Sequence, residues 1–450
     1  LVFLLPSVCV DASSSSSFHD ISLGGGSSTT IWACLTRNDN ITQAIDCFIP
    51  SEGGFNGGIS NPARASLSGD YTQVAVGGAG SSSSVWSCAP ITDVTGSRID
   101  CLLASDGFSV EAGSEYSVRG TLAGDYTEVS VGGGGDSTVW ACAIRKDSGN
   151  VVCFLPRDAY SSEDGILFVR ASLEGDYSGV SVGGGGSSSI WACATKTDGT
   201  GVDCIIPNDY VNGGDVDVRA SLVGAYDQVS LGGGRSSLNN WACARKTDGS
   251  QLDCFVPSEG YTNGGVYEVK ASLVGDYRQV DIGGAGSVTI WACAPKSDGS
   301  QIDCFLPVDG FTNEGIYEIR ASLLGDYTKV SVGGGGSSTV WACALRASGA
   351  EIDCFTANDG LFNVGVYEVA TTYFADPPTM APTISFPPSP MPTTAPPTGL
   401  IPDDNSFDDG STGCSHRVLS WFAVATMTLG IMITLSWWQC QCYSPGSDRR

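Results

Sequence analysis

Tyr226-Asp-Gln-Val-Ser-Leu, then Gly232-Gly-Gly-Arg-Ser-Ser, then Asn240-Trp-Ala-Cys-Ala-Arg, Thr247-Asp-Gly-Ser and Gln251-Leu-Asp-Cys-Phe-Val lead through Pro257 to Gly265 into Val266-Tyr-Glu-Val-Lys-Ala-Ser-Leu. Apolar and polar residues alternate with a period of two in each run, and Gly or Asp-Gly steps separate the runs. That pattern marks short strands joined by turns, here four, called a to d. The same text recurs along the chain. A Trp-Ala/Ser-Cys tripeptide begins at Trp32, Trp86, Trp140, Trp191, Trp241, Trp291 and Trp341, at spacings of 54, 54, 51, 50, 50 and 50 residues. A period of about 50 means a propeller or a solenoid. Four strands in each of seven units predict an all-β, seven-bladed propeller of four-stranded antiparallel blades over residues 18–374.

The cysteines support this reading. Each unit has one in strand b and one in strand c: Cys34 with Cys47, Cys88 with Cys101, Cys142 with Cys153, Cys193 with Cys204, Cys243 with Cys254, Cys293 with Cys304, and Cys343 with Cys354. A separation of 11 to 13 residues across a turn puts the two side chains on neighbouring strands, where a disulfide can close. Zinc is the competing explanation, but isolated Cys pairs make poor tetrahedral sites. Seven bridges require an oxidising compartment.

Composition excludes several classes. The chain has 450 residues, 22 Lys plus Arg against 48 Asp plus Glu, and a net charge of −26, which repels nucleic acid. With His19 and His416 as the only imidazoles, His-based triads and metal centres lack material, no cofactor is expected, and the chain does not read as an enzyme.

The ends carry other signals. Residues 1–12 read as the remnant of a signal peptide, with an apolar first strand as the alternative. Residues 375–417 form a Pro/Thr/Ser-rich stalk, holding half of the 20 prolines. Residues 418–438 form one uncharged apolar run with Trp421, Trp437 and Trp438 near its ends, as in a single transmembrane helix with the N-terminus outside. A glycolipid anchor signal is the alternative. Residues 439–450 would then be a cytoplasmic tail, with Cys440 and Cys442 placed for palmitoylation, and Asn40 opens an N-glycosylation sequon.

The run Tyr327-Thr-Lys-Val-Ser-Val-Gly-Gly-Gly-Gly-Ser-Ser-Thr-Val-Trp-Ala-Cys-Ala, with Gly349 and Cys354 after it, resembles the regulator-of-chromosome-condensation type repeat, a family of seven-bladed propellers. Trp stands where those repeats carry His. Val-Trp after a Gly-rich turn is instead similar to the tectonin repeats of sugar-binding lectins. The Trp-Gly that follows the second Cys in the former family is replaced by Phe48, Leu102, Phe154, Ile205, Phe255, Phe305 or Phe355. The nuclear exchange activity of the founding family is not implied for an acidic, disulfide-rich chain.

Two further regularities follow the period. Basic residues of strand d precede an Asp by six positions, Arg64 with Asp70, Arg119 with Asp125, Arg170 with Asp176, Lys270 with Asp276 and Arg320 with Asp326, and these read as ion pairs between blades. The c–d loop carries an acid and then an aromatic: Glu52 and Phe55, Asp106 and Phe108, Asp158 and Tyr160, Asp209 and Tyr210, Glu259 and Tyr261, Asp309 and Phe311, Asp359 and Phe362. Aromatic faces beside carboxylates suit sugar rings. The structural alternative is an acid-Gly-aromatic turn whose ring packs under its own blade. The Gly-rich runs lack the Lys-Ser/Thr of phosphate loops and read as tight turns near the crowded axis. Together these features predict a single-pass cell-surface recognition or adhesion protein binding a glycan or protein ligand. The alternative is a structural coat or wall protein that self-assembles.

Overall fold

The computed structural model describes residues 16–375 apart from the loop stretches 26–29, 39–42, 54–62, 79–83, 94–95, 109–113, 134–137, 161–164, 185–189, 208–213, 234–239, 262–264, 286–288, 312–314, 335–338 and 362–364. The expected signal remnant, stalk, membrane span, tail, Asn40, Cys440 and Cys442 therefore lie outside the described residues. Among the described residues no helix is long and apolar enough to cross a membrane.

Seven antiparallel sheets follow one another, each made from four strands of a single sequence unit. Blade 1 comprises Ser17–Gly25, Ile31–Asn38, Gln43–Phe48 and Ala65–Ser68. Blade 7 comprises Tyr327–Gly334, Val340–Arg346, Glu351–Thr356 and Thr371–Phe374. Strand a of each blade touches strand a of the next, and blade 7 touches blade 1. The result is a closed seven-bladed propeller in which, among the described residues, the first and last blades each take their four strands from their own unit.

Side chains and backbone close the ring instead. The Phe18 N–H donates to the Gly349 carbonyl at 2.7 Å and the Leu23 N–H to Ser331 Oγ at 3.0 Å. Lys329 of blade 7 is ion-paired with Asp20 of blade 1. Phe18, Ile21 and Leu23 share an apolar cluster with Leu345, Ile352 and Tyr373. Every junction has such a cluster, so the core lies between blades. Trp291, Ile302 and Leu323 of blade 6, for example, pack on Tyr327, Val330, Val332 and Phe355 of blade 7. Burial of that kind stabilises by about 1.5–3 kcal/mol per large side chain, which is why sequence units of similar text can hold a ring.

The Gly runs have a packing cause. A Cβ on Gly132 would lie 2.3 Å from the Val182 carbonyl oxygen of the next blade, and one on Gly77 would lie 2.5 Å from that of Val131. Neighbouring a strands converge here, and only Gly permits the approach. All seven disulfides form within blades at directly opposed positions of strands b and c, with Cα atoms 4.0–4.1 Å apart.

Three details differ from the sequence reading. The run from Val266 to Leu273 is not one strand: Val266 bridges to Ser221 of the preceding blade, and strand d is Ala271–Val274. Each c–d segment in blades 2 to 7 likewise reaches back in parallel to strand d of the blade before it, pairing at Ser66 with Glu115, Thr121 with Ile166, Ser172 with Asp215, Ser221 with Val266, Ser272 with Ile316, and Ser322 with Val366. These straps cover edges that would otherwise present unpaired backbone. Second, the a–b ladder of blades 2 and 6 starts late, at Ala75 and Asp281, because Pro90 and Pro295 in strand b have no N–H to donate. Third, the bases of strand d have other partners than expected, as described next.

Candidate functional site

Strand b runs antiparallel to a, and d to c, so the a–b and c–d connections leave the blades on one face. The b–c and d–a turns occupy the other. The expected ligand positions belong to the first face. Asp106, Asp158, Glu259, Asp309 and Asp359 each lie in the first turn of a short helix that opens the c–d segment. Four of these acids are held by the base of strand d in their own blade. Arg119 donates to Asp106 at 2.5 Å, Arg170 to Asp158 at 2.7 Å, Lys270 to Glu259 at 2.5 Å and Arg320 to Asp309 at 2.5 Å. Three of the Asp residues six positions after a base go elsewhere: Asp125 to Lys146, Asp176 to Thr197 and Asp276 to Ser297. The expected pairing of blades by these bases is thus corrected to a pairing within the blade in blades 2, 3, 5 and 6. The partner is chosen by which loop lies over strand d, a matter of topology that sequence distance does not report.

In blade 7 Ala370 replaces the base, and Asp359 is exposed, its carboxyl raised by partial burial. Asp209, Tyr210, Phe55 and Phe362 lie outside the described residues, as do the side chains of Glu52, Phe108, Tyr160, Tyr261 and Phe311. The Gly after the acid is a packing residue. A Cβ on Gly107 would meet the Trp32 ring of the preceding blade at 2.8 Å, and one on Gly260 would meet Ala220 Cβ at 2.4 Å.

A second recurring constellation went unread in the sequence. In six blades strand c carries a buried Asp (Asp46, Asp100, Asp203, Asp253, Asp303 and Asp353). In blade 5, Asp253 accepts hydrogen bonds from Ser272 Oγ at 2.5 Å and Tyr226 Oη at 2.7 Å, while Lys246 Nζ lies at 3.2 Å and over the Tyr226 ring. Burial pushes the Asp253 carboxyl up, but the bonds from Ser272, Tyr226 and Gln251 outweigh it and hold it below the usual range. Burial beside that carboxylate raises Tyr226 far above a free phenol. The group is saturated, and it works as a brace tying strands a to d. The clue was the recurring Asp-Cys order of strand c, followed by Phe, Leu or Ile.

The third feature is the axial channel. Its two ends have volumes of about 160 and 150 Å³. The first is lined by Gly backbone, and the second by side chains from strand a, among them Gln73, Glu128, Gln228, Gln279, Asp281 and Lys329. These side chains tie each blade to the next. Gln73 Nε2 donates to the Val129 carbonyl at 3.3 Å and its Oε1 accepts from the Val129 N–H at 3.1 Å, and Gln228 does the same with Val280. Asp20 accepts from the Val74 N–H at 2.8 Å. Burial pushes Glu128 up to about 7, against the pull of the Val180 N–H and Lys329. Burial raises Asp281 as well, although Val332, Ser230 and Ser331 donate to it. Among the described residues no group of three or more His, Cys, Asp or Glu could hold a metal ion.

No family model matches the chain, and no curated protein matches it. Several solved propellers are similar in outline. Hsv2 of Kluyveromyces lactis is 7% identical, with a TM-score of 0.44, over 80% of this chain and 100% of that one. A fucose-specific lectin from Aleuria aurantia is 11% identical, with a TM-score of 0.34, over 65% and 91% of the two chains. A Hadza microbial sialidase is 10% identical, with a TM-score of 0.38, over 62% and 63%. The class defined by the coordinates is a disulfide-stapled, seven-bladed propeller with strapped blade edges.

Proposed function

We propose that this chain is a cell-surface recognition or adhesion protein whose propeller binds a glycan or protein ligand through its a–b and c–d face. The observation that supports this reading is the division of labour within each unit. The brace of six blades, the disulfides, the straps and the axial bonds hold a stiff ring, and the a–b and c–d connections of all seven blades are set side by side on one of its faces. Seven bridges set folding in an oxidising compartment. The Pro-rich stalk and the apolar run 418–438 would hold the ring off a membrane.

A glycan array probed with residues 13–376, with and without calcium, tests this. All seven sheets and all seven interfaces are completed within that span. Selective binding that is lost in Tyr261→Ala and Phe311→Ala supports the reading. Unchanged binding in both variants moves the site off the c–d loops.

A second reading, lateral self-assembly, is favoured by the outer rim of blades 4 to 6. Val223, Val266, Val274, Ile316, Leu324 and Val366, on strand d and the straps against it, are exposed there. Concentration-dependent association in sedimentation, with no array binding, would select it.

A further inference from the structure

Blade 3 departs from the brace in a coordinated way. Val152 stands where six blades have the buried Asp, opposite Ser172 in the ladder, as Asp253 is opposite Ser272. Arg145 occupies the position of Arg37, Lys196, Lys246, Lys296 and Arg346, each of which is ion-paired with its strand-c Asp. Among the described residues no carboxylate is ion-paired with Arg145. Tyr126, without an Asp to bond, donates to the Ala123 carbonyl at 3.1 Å.

A cavity of about 480 Å³ lies at this spot, between the b–c turn, strand d and the strap from blade 4. Arg145, Val152 and Ser172 line it together with Asp147, Glu174 and Asp215. The last two matter because blades 4 to 6 have exposed apolar residues at the same places, Val223 and Val266, Val274 and Ile316, and Leu324 and Val366. Blade 3 has exchanged an acid inside for an apolar residue, and apolar residues outside for acids.

The geometry points to a binding site in blade 3 for a carboxylated pyranose, a uronic or sialic acid unit, whose carboxylate takes the basic partner that Asp takes in the other blades. The carboxylate meets the Arg145 guanidinium and accepts from Ser172 Oγ, while ring hydroxyls donate to Glu174 and Asp215. A bare anion would be repelled by the three acids, and a metal ion by Arg145, so the ligand must carry both a carboxylate and hydroxyl donors. The volume falls in the range of about 300–1,000 Å³ usual for small-molecule sites. The inference rests on the glycan-binding reading above, but on a different surface from the c–d loops.

The test is calorimetric titration of residues 13–376 with methyl β-glucuronide, the methyl glycoside of N-acetylneuraminic acid, methyl β-glucoside and acetate. One of the two acids is expected to bind at least about tenfold more tightly than glucoside or acetate, and the stronger one identifies the source. Arg145→Ala should lose that preference. Val152→Asp should lose it too while melting no lower than the parent, because the new carboxylate gains Arg145, Ser172 and Tyr126. This second variant separates loss of a ligand from loss of the fold. Equal binding of acidic and neutral sugars, or full binding by Val152→Asp, would overturn the site and leave the recognition reading intact. No binding here or on the array would remove both.

Discussion

Gly132 shows how closely neighbouring blades approach. Its Cβ position is 2.3 Å from a carbonyl oxygen, and backbone cannot swing aside as a side chain can. Gly132→Ala is expected to cost about 1–3 kcal/mol in chemical denaturation, as overpacking does. Glu128 makes a pH-dependent counterpart. Its carboxyl is raised from 4.5 to about 7 in the folded chain, so the native state keeps a proton that the unfolded chain has already lost. Stability therefore falls as pH rises from about 4.5 to 7 and is level above that. Asp20 and Lys329 also face it, and the side chain is only half-buried along the channel, so the contribution is about 1 kcal/mol. Glu128→Gln should flatten that slope and leave the protein more stable than the parent at pH 8, read from denaturation midpoints across pH.

At the scale of the blade, the Asp brace joins all four strands of one unit. Asp253→Ala would leave Tyr226, Ser272 and Lys246 without their common acceptor and is expected to cost about 3–5 kcal/mol, with Asp253→Asn costing less. A loss under about 1 kcal/mol in urea denaturation would show the brace to be idle. The blades themselves were legible in the sequence because Trp241, Cys243 and Cys254 recur at fixed offsets, and a period of two leaves one register for them. The partner of Arg320 was not. Asp326 is the nearer of the two acids in sequence, and only the fold of the c–d segment back over strand d decides for Asp309. The straps were hidden for the same reason: Ile316 and Leu324 look like parts of one strand until the preceding blade is present to pair with Ile316.

For the whole molecule, ring closure depends on residues that no local pattern couples, such as Asp20 with Lys329, 309 positions apart. The candidate ligand loops were legible only as a repeated text. The sequence showed acid and aromatic at each copy, and the coordinates show that four of the acids are already committed to a base. The central claim is that seven sequence units make seven self-contained blades. Mass mapping of the unreduced protein tests it most directly. Peptides should be linked as Cys34 to Cys47, Cys88 to Cys101, Cys142 to Cys153, Cys193 to Cys204, Cys243 to Cys254, Cys293 to Cys304 and Cys343 to Cys354. A bridge joining cysteines of two different units would contradict it.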